Sequence, residues 1–136
     1  TPDDAIQKDR QQIAGLWRVV SVTINENVLA KQFSDKLTVE NGRDGAWIIW
    51  NQEPQGRKEI GRGTSMFDPA QQPKTIDFIP STGDQKGQVF LGIYELGENT
   101  RRLCFAPVGK PRPQAFASPA NSGQILVEFE RVEKPE

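Results

Sequence analysis

The chain of 136 residues has no histidine and one cysteine, Cys104. Without histidine, the usual general base, the commonest metal ligand and the Ser/His and Cys/His nucleophile pairs are all missing. One cysteine makes no internal disulfide and anchors no cysteine-based zinc site. Glu95, Glu128 and Glu130 stand on expected strands without a convincing acid/base partner. "GRGTS" lacks the Lys-Ser/Thr ending and following helix of a phosphate cradle. The sequence therefore yields no catalytic residues, no metal ligands and no cofactor, and an enzyme is the last-ranked reading. Apolar runs are too short to span a bilayer. The 17 basic and 18 acidic residues are scattered, with no basic stripe for a phosphate backbone, which argues against nucleic-acid binding.

Hydrophobic residues make up 35% of the chain, below the usual roughly 45–50% of a count that includes glycine. Twelve glycines and ten prolines punctuate what remains. The length fits a single domain, 1–136, able to bury a core without staples. The chain begins at Thr1. Removal of a signal peptide, with a secreted or periplasmic location, explains that start, and so does trimming of a cytoplasmic chain.

Residues 3–14 carry helix formers, with Asp3 or Asp4 as the expected cap and Gly15 as the stop. From there the period turns to two. Strands are expected at 16–26, 36–40, 46–52, 59–67, 74–79, 88–96, 101–107 and 124–132, with turn chemistry between them and a bend or bulge at Gly61 and Gly63. About eight short strands without helical alternation predict an all-β barrel or sandwich.

Strand parity favours the barrel. Ile125, Val127, Phe129 and Arg131 share one face. Closure pairs the first strand with the last, which brings Arg131 over Trp17 in cation–π geometry, with Gly15 clearing space beneath the ring. Leu103 and Phe105 form a core pair, with Cys104 turned outward or into a side pocket and Asp77 outward. In the first strand, Val20, Val22 and Ile24 fall on one face and Trp17, Val19, Ser21 and Thr23 on the other, so both faces carry apolar residues.

Gly15-x-Trp17 after a short helix, with Arg131 late in the last strand, resembles the lipocalin-type signature. "GLWRVVSV", "FDPAQQPKTIDFIPSTGDQKGQ", "LGIYELGENTRRLCFAPVGKPRPQAF" and "ILVEFER", spanning residues 10–132, are similar to a family of uncharacterised bacterial domains abundant in planctomycetes. The resemblance implies a lipocalin-like antiparallel barrel of about eight strands, often exported, with no established activity. The segment "DGAWIIWNQEPQGRKEIGRG" is longer and more aromatic than the family pattern.

Trp47 and Trp50 face opposite ways, one inward and one outward, unless both are ordinary half-core rings. The loop 108–123 is long and stiffened by proline, and carries Lys110, Arg112 and Phe116. It is either a cationic lip that meets the carboxylate of an amphiphile or a packed strap pinned by Phe116. The expected ligand set is Trp50, Tyr94, Arg112 and Phe116, and the expected barrel-floor set is Gly15, Trp17 and Arg131. The leading expectation is non-enzymatic binding of a small apolar or amphiphilic ligand. The alternative is a side-chain-filled barrel acting as a structural module or binding a protein partner.

Overall fold

The computed structural model describes residues 2–42 and 44–132. Helix α1 (Pro2–Ile13) leads into β1 (Gly15–Ile24), the short β2 (Asn27–Val28), a single-turn helix α2 (Lys31–Ser34), β3 (Leu37–Asn41), β4 (Ala46–Glu53), β5 (Gly56–Asp68), β6 (Lys74–Pro80), β7 (Phe90–Leu96), β8 (Thr100–Phe105) and β9 (Ile125–Arg131). The order β1-β3-β4-β5-β6-β7-β8-β9, with β1 also paired to β9, closes an eight-stranded antiparallel barrel. β2 lies outside that ring, paired to the end of β1. Among the described residues no helix is long and apolar enough to cross a membrane.

Three local expectations are corrected. Helix α1 begins at Pro2, so Asp3 and Asp4 lie inside its first turn and neither is the cap. Proline suits that position because its missing N–H would have no intrahelical partner. The stretch 52–58, expected as a turn, is instead the tip of a continued hairpin in which Glu53 pairs with Gly56. Residues 54–58 are exposed, so neither face of that arm needs the apolar alternation that marks a strand. β2 and α2 carry no periodic signal and were not anticipated.

The third correction concerns β1. Opposite β9, the register slips between Val19 and Ser21, a β-bulge at Val20. A bulge adds one residue and reverses the alternation beyond it. Trp17, Val19 and Val22 therefore all enter the same buried cluster, with Ile24 packed on it. Val22 is 8% exposed and Val20 is 40% exposed. The expected grouping of Val20 with Val22 and Ile24 fails, and with it the picture of a β1 apolar on both faces. A second slip, between Ile49 and Trp50 against β5, leaves Ile60 as the extra residue beside Gly61, in the segment where a bend or bulge was expected.

β9 behaves as its parity requires: Val127 and Phe129 are buried, Ile125 packs on them, and Trp17 and Arg131 are register partners. Helix α1 closes this end. Ile13 is buried with Phe67, Ile76 and Tyr94, and Asp9 is only 5% exposed.

Candidate functional site

Inside the barrel is a cavity of about 200 Å³. Its walls come from the inward positions of most strands, including Val19, Val39, Leu103, Phe105, Val127 and Phe129. Among these apolar groups stand Asn41, Ser65, Tyr94, Arg101 and the indole of Trp47. A pocket of this kind, apolar with a few polar groups, is the usual form of a small-molecule site, although its size falls short of the roughly 300–1,000 Å³ of drug-sized pockets.

Trp47 reaches the interior because β5 has a glycine opposite it. Trp47 and Gly63 are register partners. A Cβ on Gly63 would sit 2.5 Å from Trp47 Cζ2 and 2.3 Å from the Ile79 carbonyl oxygen. The indole lies edge-on to Phe78, with ring centroids 6.0 Å apart, and Phe78 meets Phe105 edge-on at 4.8 Å. Trp47 Nε1 is buried and has no hydrogen-bond partner among the described residues.

The floor is built on Trp17, which is fully buried and donates Nε1 to the Ile13 carbonyl at 2.7 Å. The Arg131 guanidinium lies 4.3 Å from its ring centroid. Arg131 also donates to the carbonyls of Ala14, at 3.1 Å, and Gln12, tying the end of α1 to β9. Gly15 begins β1 with φ of +124°. Residues with a side chain rarely adopt that value, so backbone conformation, beyond any clearance under the ring, requires glycine there.

A second arginine stands on the same indole. Arg101 lies 4.9 Å from the Trp17 centroid and 4.2 Å from that of Phe129. It is 7% exposed. Its Nη1 donates to Asn41 Oδ1 at 3.1 Å, and its Nε is buried without a partner among the described residues. Burial, and next the like charge of Arg131, pull its pKa down to about 9.

Tyr94 faces the cavity, but its hydroxyl is engaged at the helix end. It donates to Asp9 Oδ2 at 2.7 Å, and Lys74 Nζ reaches the same oxygen at 3.1 Å. Burial, then the hydrogen bond and charge of Asp9, push the phenol pKa far above its ordinary value. Asp9 had no sequence signal, since it is one acid among several polar residues on a thinly amphipathic helix.

Of the ligand set expected from sequence, only Tyr94 is on the cavity wall. Trp50 is on the outer surface. It donates Nε1 to Glu40 at 3.1 Å, and Arg57 lies 4.1 Å over its ring. Trp47 is the inward one of the two. Arg112 and Phe116 belong to the strap 108–123, which runs along the outside of the barrel wall. Arg112 donates to the Ile76 and Gly92 carbonyls at 3.0 and 2.8 Å and to Asp77 at 2.7 Å. Phe116 lies under Arg102, at 4.3 Å. Beneath the strap, Cys104 is fully buried and donates Sγ to the Ala117 carbonyl at 3.2 Å. Burial raises its pKa and suits a packing thiol. Glu95 and Glu130 face solvent in cross-strand ion pairs with Arg102 and Arg18, at 2.9 and 3.1 Å. Searches of family models, curated proteins and solved structures return no match for the chain.

Proposed function

We propose that this protein binds one small, largely apolar or amphiphilic molecule inside its barrel, without chemistry. The cavity of about 200 Å³ carries the reading. An eight-stranded barrel is just wide enough for side chains to fill or for one small ligand to occupy. An apolar void leaves wall atoms without dispersion partners, which an apolar ligand restores. The size favours a compact guest, since a cavity of about 150 Å³ accepts a molecule such as benzene. The lipocalin-like resemblance of Gly15, Trp17 and Arg131 agrees with a binding role. The alternative, a filled barrel with an apolar outer face for a partner, loses support once the Val20 bulge turns Val22 and Ile24 inward.

The test is calorimetric and NMR titration of the full chain with toluene, 1-hexanol and hexanoate, beside a melting curve. Saturable one-to-one binding that each guest displaces from the others is expected. A cooperatively melting protein that binds none of them overturns the proposal. A fluorescent long-chain fatty-acid probe should bind poorly, because its chain exceeds the cavity.

A further inference from the structure

We infer that the guest of this cavity is a small carboxylate, whose anionic group seats on Arg101 at the barrel floor while its apolar part fills the space above. This rests on the cavity-binding reading and adds to it the chemical class of the ligand.

The argument begins with what Arg101 lacks. Among the described residues, its guanidinium meets no carboxylate. Its neighbours are two aromatic rings, an amide oxygen and a second cation. A buried charge without a counter-ion is costly, and proteins ordinarily pair it. Arg131 is different, since its guanidinium is committed to the Gln12 and Ala14 carbonyls. The unsatisfied polarity of the cavity has one sign. Arg101 Nε and Trp47 Nε1 are both donors, both buried and, among the described residues, both unpartnered. Asn41 spends its side-chain oxygen on Arg101, so that acceptor is already used. Asn41, which holds Arg101, and Trp47 are register partners on β3 and β4, so the two unpartnered donors stand on neighbouring side chains.

Donors without acceptors select an acceptor, and a cation selects an anion. The planar fork of a guanidinium matches a carboxylate. A dianionic phosphate would bring more charge than one arginine neutralises into walls that are otherwise apolar. The desolvation of Arg101 is already met in the folded protein, so an entering carboxylate gains the pairing without that part of the cost.

The test compares hexanoate with 1-hexanol, which share a chain and differ in charge, on the full-length wild type and on Arg101→Met. Wild type should prefer hexanoate by about tenfold or more, and hexanoate alone should shift the Arg101 Nε–H resonance. Arg101→Met should lose that preference, keep its affinity for hexanol and melt no lower than wild type. A purely structural arginine would instead lower the melting temperature and leave the ligand preference unchanged. If wild type binds hexanol as well as hexanoate, or if Arg101→Met binds hexanoate undiminished, the inference is wrong and cavity binding stands. If wild type binds neither, cavity binding fails and takes the inference with it. Should Arg101→Met not fold, the wild-type preference and the Nε–H shift decide alone.

Discussion

Trp17 and Arg131, at opposite ends of the chain, are cross-strand register partners whose indole and guanidinium lie 4.3 Å apart. The contact joins β1 to β9 and closes the barrel. Through the carbonyls of Gln12 and Ala14 the same arginine anchors α1. Arg131→Ala should cost about 2–3 kcal/mol, the scale of charge-assisted bonds plus a buried cation–π contact. Trp17→Ala should cost about 3–5 kcal/mol. Denaturant unfolding measures both. Unchanged stability with a large loss of ligand affinity would assign the pair to the ligand instead.

The bulge at Val20 makes a sharp contrast between neighbours. Val22→Ala, in the core, should lose about 1–3 kcal/mol. Val20→Ala, on the outer face, should stay within about 0.5 kcal/mol of wild type. Equal losses, or the reverse order, would mean that β1 keeps simple alternation.

Tyr94 is the only tyrosine, so its ionisation reads without background. Its folded pKa is raised, chiefly by burial and then by Asp9. The native protein should show no phenolate absorbance near pH 10, where an exposed tyrosine ionises. The unfolded chain releases that proton first, so this contribution to stability is complete below about pH 10 and declines as pH rises above it. A native phenolate signal near pH 10 would contradict the buried Tyr94–Asp9 bond.

Gly63→Ala places a methyl group against the Ile79 backbone and the Trp47 ring. A loss of about 1–3 kcal/mol is expected, with a change in tryptophan fluorescence as Trp47 is displaced. Neutral behaviour would show that β5 yields there at little cost.

Cys104, fully buried under the strap, should react with a thiol reagent only as fast as the strap or the whole barrel opens. Rapid modification of native protein would mean that the strap is detached in solution.

Much of the fold is legible because alternation is local. The parity of Leu103 and Phe105 puts them inside, and the same parity assigns Arg101 to the interior. That arginine is a readable signal for the site, since an inward parity and a charged side chain coincide at it. Trp47 and Trp50 were harder to separate. Their strand is apolar at Trp47, Ile48, Ile49 and Trp50, so parity divides the rings without saying which face is inner. The strap residues Arg112 and Phe116 were drawn to a ligand by composition, and only the path of the strap shows them bonded to the outer wall.

By itself the sequence determined an antiparallel β-protein, most strand positions and the meeting of Trp17 with Arg131. Hydrophobic period, turn residues and matching parities are properties of short segments, and closure needs only the two end strands to agree. Tertiary structure alone decided the bulge at Val20, the inward choice of Trp47, the seating of Asp9 under Tyr94 and Lys74, and the isolation of Arg101 from any carboxylate among the described residues. Each depends on which strands become neighbours and in what register. A one-residue slip turns side chains to the other face, and a buried charge is lone or paired according to what the opposite wall of the barrel brings to it.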